Sequence, residues 1–140
     1  MANNHEQHEQ NEKCGRASRG AVMRSSADDS PAVARRRARE ARTVSQMIAL
    51  YCAGHHETGA RAEVAHCGEP VCAECAALDA YAVLRTQRCR KMDVKTSCDK
   101  CENHCYRAAE RAQVREVMRY SGPRMLGRHP IAAIRHLLGK

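Results

Sequence analysis

Apolar positions in this chain fall on helical spacing from residue 34 onward. Val44, Met47, Ile48 and Tyr51 stand at i, i+3, i+4 and i+7, the repeat that lines one face of an α-helix. The spacing predicts a first helix from about Ala34, ended by Gly54. Leu78, Tyr81 and Ala82 repeat it on a second helix over about Val71 to Arg88, entered through Gly68 and Pro70. Val114, Val117 and Met118 mark a third helix, expected to stop at Gly122-Pro123. A fourth has Ile131, Ile134 and Leu138 on its apolar face and Pro130 in its first turn. No alternating stretch predicts a strand, and no internal repeat appears at solenoid periods.

Before Ala34 the pattern disappears. Residues 1 to 33 are rich in Asn, Gln, Ser and Gly and carry four basic and five acidic side chains. That composition cannot bury a core and reads as a disordered polar tail; His5 and His8 belong to it as solvated residues. The whole chain is +8, so a tail of −1 leaves +9 on residues 34–140. The expectation is a mainly α, four-helix domain over 34–140, cross-linked by metal sites, behind a tail over 1–33.

Cross-links are wanted because the core is thin. There is no Phe or Trp, aromatic residues make up 3%, and much of the 43% hydrophobic content is Ala and Cys. Domains that bury too little apolar area are commonly held by metals or disulfides. Eight of nine cysteines lie between Tyr51 and Tyr106, six of them as Cys72-x2-Cys75-x13-Cys89-x8-Cys98-x2-Cys101-x3-Cys105. A C-x2-C pair lets two thiolates from one turn converge on one ion. Disulfides fit less well, since the cysteine count is odd and the chain opens MANNHEQHEQNEKCG, without the apolar run of an export signal. Nor is there a run of about 18 apolar residues for a membrane helix. The expected setting is the cytoplasm, with reduced thiols.

Helix geometry sorts the ligands. An unbroken second helix at ~1.5 Å per residue puts Cys72 and Cys89 about 25 Å apart, too far to share an ion. Cys72 and Cys75 then need partners from the end of an antiparallel first helix, Cys52-Ala-Gly-His55-His56. The first site is Cys52, His56, Cys72 and Cys75, with His55 and Cys67 as competitors. The second is Cys89, Cys98, Cys101 and Cys105, with His104 as a substitute or as a hydrogen-bonding neighbour. Four thiolates suit tetrahedral zinc or a [4Fe-4S] cluster, and the histidine of the first site looks more like zinc, so one of each is also open.

Arg107, Arg111, Arg115 and Arg119 recur every fourth residue. The row reads first as a solvated face with stems over the thin core; as a phosphate-gripping surface it makes the chain a metal-stabilised nucleic-acid-binding regulator instead. Arg35, Arg36, Arg37 and Arg39 form the exposed start of the first helix or extend that patch. No phosphate loop, nucleophile elbow or close carboxylate pair supports an enzyme, and both metal sites can be filled by protein ligands.

From about Thr43 to Leu138 the chain resembles the nitrous oxide-stimulated promoter family. The likeness is carried by MIALYC at Met47–Cys52, His56, the Cys72/Cys75 pair with Leu78, Tyr81 and Ala82, Cys89, CDKCENHCY at Cys98–Tyr106, VMRYSGPRML and HPIAAIRHLL. The resemblance implies a small bacterial protein induced by nitrogen oxides, in a nitrosative-stress response, with no established activity. Arg90 and Glu102 stand where relatives tend to carry prolines, and an insertion brings in Cys67. The reading is a non-enzymatic metal-binding protein of the nitric oxide response, a thiolate-based sensor or protective factor.

Overall fold

A computed structural model describes residues 28–94, 98, 100, 101 and 104–138; the expected tail lies outside these except for its last six residues. Among the described residues the fold is mainly α, with four helices and a small hairpin: α1 (Pro31–His55), β1 (Glu63–Val64), β2 (Pro70–Val71), α2 (Ala73–Gln87), α3 (Ala108–Arg128) and α4 (Pro130–Leu137). A single 3-10 turn, Thr58–Ala60, follows α1.

α1 starts three residues before the expected Ala34. Ser30 caps it, its hydroxyl accepting from the Val33 N–H at 3.3 Å, and a proline opens the first turn where no backbone donor is needed. It runs one residue past Gly54, to His55. Its expected face is the core of the molecule: Val44, Met47, Ile48 and Cys52 are buried, Ile48 and Cys52 completely. They pack on Leu78 and Ala82 of α2 and on Val114 and Val117 of α3.

α1 and α2 run antiparallel, and one arginine makes the pairing visible. Arg37, near the start of α1, donates through Nη1 to the carbonyls of Thr86, Gln87 and Cys89 at 2.9–3.0 Å, at the end of α2. These include carbonyls that a helix terminus leaves without partners. Nε and Nη2 hold Asp29 bidentately at 2.7 and 3.0 Å, an arrangement suited to the planar guanidinium. With the start of α1 fixed to the end of α2, the end of α1 meets the start of α2.

The hairpin corrects the expectation of no strands. β1 and β2 pair antiparallel with Glu63 opposite Val71 and Val64 opposite Pro70. Two-residue strands are too short to alternate, so sequence periodicity cannot reveal them. Gly68 sits in the turn at φ 95°, a left-handed conformation that glycine adopts without steric cost. The tip is anchored on both neighbouring helices: the Cys67 N–H donates to Ser45 Oγ (2.9 Å), and the His66 N–H donates to Asp79 Oδ2 (2.8 Å).

Two further expectations fail in the last third of the chain. α3 is not stopped at Gly122-Pro123 but continues to Arg128. Proline removes one backbone bond, and packing outweighs that loss: Met125 is buried beyond it, and buried Ser121 donates to the Met47 carbonyl of α1 at 2.7 Å. On α4 the face marked by Ile131, Ile134 and Leu138 is not core; these are 67%, 50% and 65% exposed, and Ala133 is the buried contact. Small Ala133 permits the close approach, which turns the larger side chains outward.

Candidate metal centre

The end of α1 and the start of α2 bring Cys52, His56, Cys72 and Cys75 together, with all four potential ligand atoms within 4.8 Å of one another. Each is placed by a different local cause. Cys52 is on the buried face of α1, one turn after Ile48. His56 is the residue at which α1 ends, with its N–H on the Cys52 carbonyl and its backbone extended. Arg61 fixes this corner by donating from Nη2 to the carbonyls of His56 (3.0 Å) and Ala53 (3.3 Å). Cys72 follows buried Val71 out of β2 and is the N-cap of α2, with Cys75 in the first turn.

The side chains meet in a geometry that suits an ion. His56 Nδ1 lies 3.3 Å from Cys72 Sγ and 3.5 Å from Cys75 Sγ, so Nδ1 is the nitrogen presented to the cluster. The Cys72 N–H donates to Cys52 Sγ at 3.2 Å, and the Cys75 N–H donates to Cys72 Sγ at 3.5 Å. Backbone donors to sulfur favour the thiolate over the thiol. Burial pushes the Cys72 thiol up, but hydrogen bonds from Cys75, Cys52 and the Glu74 backbone outweigh it, so the net shift is down. Cys75 moves strongly up, first through burial, then through its bond to Cys72 and the nearby charge of Cys52. One thiolate forms readily here and further negative charge is resisted, the condition that a bound cation relieves. Three cysteines and a histidine are a donor set that can hold a metal ion, and their separations agree with about 4 Å between ligands on one tetrahedral ion.

His55, a competitor for the site, is turned away. Its Nδ1 lies 3.0 Å from the Tyr51 carbonyl, and its ring stacks on Tyr51 at 4.0 Å and meets Tyr120 edge-on at 4.4 Å. Arg124 lies over the other partner, 3.8 Å from the Tyr120 ring centre. This aromatic stack joins α1 to α3 beside the cysteines. Gly54 is required within it, because a Cβ there would fall 2.0 Å from the Tyr120 hydroxyl. Cys67 stays on the hairpin tip, outside the four. Sequence reasoning missed Arg61, Tyr120 and Gly54 as supports, since nothing in their spacing signals a contact made only after folding.

The other four cysteines lie at the opposite end of α2. Cys89 follows the helix, with its N–H on the Thr86 carbonyl, and a turn brings the Cys101 N–H to the Cys98 carbonyl. Cys105 is pushed up by burial, then by the neighbouring Cys98 and Cys89 charges, against the opposing pull of Arg85. These thiols are thus neighbours, but among the described residues only the first quartet converges within 4.8 Å. His104 Nδ1 accepts from the Tyr106 N–H at 3.3 Å. None of the eight described cysteines is in a disulfide. Of the arginine row on α3, Arg107 pairs with Glu110 and Arg119 with Glu116.

Comparison with known proteins places the chain. The family described as nitrous oxide-stimulated promoter matches residues 35–140. The chain belongs to that family. It is also 38% identical over 104 residues to an uncharacterized protein of Escherichia coli (strain K12), YgbA, covering 74% of this chain and 80% of that one. No solved structure matches. The family match spans both cysteine groups, the hairpin, α2, α3 and α4, and α1 from its fifth residue onward. Among the described residues no helix is long and apolar enough to cross a membrane.

Proposed function

We propose that this protein is a non-enzymatic, metal-binding member of the nitrosative-stress response, in which thiolate ligands act as sensor or sacrificial buffer. The observation that carries this is the convergence of Cys52, His56, Cys72 and Cys75, buried or half-buried and supported by backbone donors. Zinc is the ion of choice for this site. Cys89, Cys98, Cys101 and Cys105 form a second site, for zinc or a [4Fe-4S] cluster, which closes around its metal. The family's description, a promoter stimulated by nitrous oxide, supports the biological setting. Reduced thiols at both sites suit a cytoplasmic protein.

The chemistry follows from the ligands. An S-nitrosothiol transfers its nitrosonium group to a ligand thiolate, releasing its own thiolate and leaving a neutral S–NO that no longer holds the ion. A thin-cored domain stabilised by that ion loosens when the ligand is lost, because the binding free energy of such sites is largely folding free energy. Exposure to nitrogen oxides is thereby converted into a local loosening where the end of α1 meets the start of α2.

Elemental analysis of anaerobically purified protein, with its visible spectrum, tests the reading. One or two equivalents of zinc or a cluster are expected, with metal release on treatment with an S-nitrosothiol. Nine titratable thiols, Cys14 included, and no metal would overturn it.

A further inference from the structure

A recess lies against α3, on the side facing Cys98, His104 and Tyr106, with a volume of about 20 Å³. Its helical wall is Arg111 and Arg115, one turn apart, over Val114 and Met118. Arg111 is half-buried, and its Nε is shielded from solvent without a hydrogen-bond partner in the protein. A buried donor left so is uncommon and calls for an acceptor from outside the chain. Among the described residues no carboxylate lines the recess. The acidic residues nearest along α3 are engaged elsewhere, Glu110 by Arg107 and Glu116 by Arg119.

We propose that this recess binds a small oxyanion, held by the Arg111 guanidinium and completed by Arg115. Among the described residues neither arginine is paired with a carboxylate, the neighbouring glutamates of α3 are used by other arginines, and the floor is apolar, so a charge-assisted bond there is stronger than one in water. The volume admits about one oxygen-sized group. The anion therefore enters by one edge, with its remaining atoms toward solvent, as a carboxylate or phosphate meets a guanidinium fork. The recess adjoins the second cysteine group through Cys98 and uses the two arginines of the row that no glutamate pairs with among the described residues.

The test is an NMR titration of the arginine Nε–H resonances in the full-length chain, purified with its metal content intact, using inorganic phosphate and acetate at ionic strength held constant with chloride. A saturable shift of the Arg111 Nε–H is expected with at least one of them. Arg115→Gln, at an exposed position that should fold normally, should weaken binding about tenfold, the loss of one charge-assisted contact. Arg111→Lys, which keeps the charge but not the fork, should abolish saturation as read from the Arg115 resonance, and Arg128→Gln should change nothing. A non-saturating Arg111 shift with both anions means that the donor is met by water and overturns the proposal. So does equal affinity in Arg115→Gln, or a response to a short oligonucleotide but to neither small anion.

Discussion

The two cysteine groups sit at opposite ends of α2 and are built by opposite means. The first quartet is assembled by regular structure: a buried helix face, a helix terminus, a strand exit and a helix cap each deliver one side chain to within 4.8 Å of the rest. The second group lies between α2 and α3, where among the described residues the Cys89 N–H meets the Thr86 carbonyl and the Cys101 N–H the Cys98 carbonyl, and no such quartet converges. Both contain four thiol or imidazole donors, so ligand count does not distinguish them. Preorganisation does. A site whose ligands are held by the fold binds without ordering the chain, whereas a site in a loop must order it at the moment of binding.

The largest expected effect comes from breaking one group at a time. Cys72→Ser removes a ligand and weakens the cap of α2, so it should lose the first metal and much of the domain's stability, as seen in cobalt-substituted spectra and thermal unfolding. Cys98→Ser should spare the first-site cobalt bands and lower the melting temperature less. If both variants stay folded and lose all metal, the two groups are one shared cluster.

Next is Gly54→Ala. A Cβ 2.0 Å from the Tyr120 hydroxyl must displace a ring already packed against Tyr51, His55 and Arg124. A cost of about 1–3 kcal/mol is expected, as for overpacked sites. Because Gly54 lies between Cys52 and His56, zinc affinity at the first site should fall while the second site is unaffected. Competition with a chromophoric chelator measures this, and unchanged affinity would separate the aromatic stack from the metal centre.

Arg37→Ala tests the other end of α2. Leaving the carbonyls of Thr86, Gln87 and Cys89 without this donor should cost about 2 kcal/mol in urea unfolding. Here the second site should suffer more, since Cys89 is one of the residues Arg37 holds.

How much of this was legible beforehand depends on whether a feature is local. The apolar faces of α1 and α2 follow directly from spacing, and the grouping of Cys52 and His56 with Cys72 and Cys75 follows from helix length once the two helices are packed antiparallel. Pro123 misled because local breaking signals are weaker than the burial of Met125 and the Ser121 contact. Ile131, Ile134 and Leu138 misled because periodicity identifies an apolar face but not whether a partner covers it. Arg37 and Arg61 were invisible as supports, since each acts on carbonyls that become orphans only when a helix ends.

The smallest effect concerns pH. The hydrogen bond from Arg37, opposed by desolvation and aided by its charge, holds the Asp29 carboxyl below its ordinary 3.8. A depressed acid stabilises the fold above its unfolded pKa and loses that contribution as pH falls through the folded value. The stability difference between wild type and Arg37→Ala should therefore be constant near neutrality and shrink below about pH 4. Loss of metal by proton competition is common to both proteins and cancels in the difference. A gap that widens on acidification would contradict the pairing.

Because the hairpin tip is tied to Ser45 and Asp79, the segment joining the two halves of the first quartet is already a closed loop before any ion arrives. Closing a free loop of about 15 residues costs roughly 3 kcal/mol of chain entropy. Here much of that cost is met by protein contacts, and the ion need not gather a random coil. An ion bound there would exchange through local opening of one helix end, on the time scale of fraying rather than of global unfolding. A signal read through loss and return of metal would then be reversible within the lifetime of a single folded molecule.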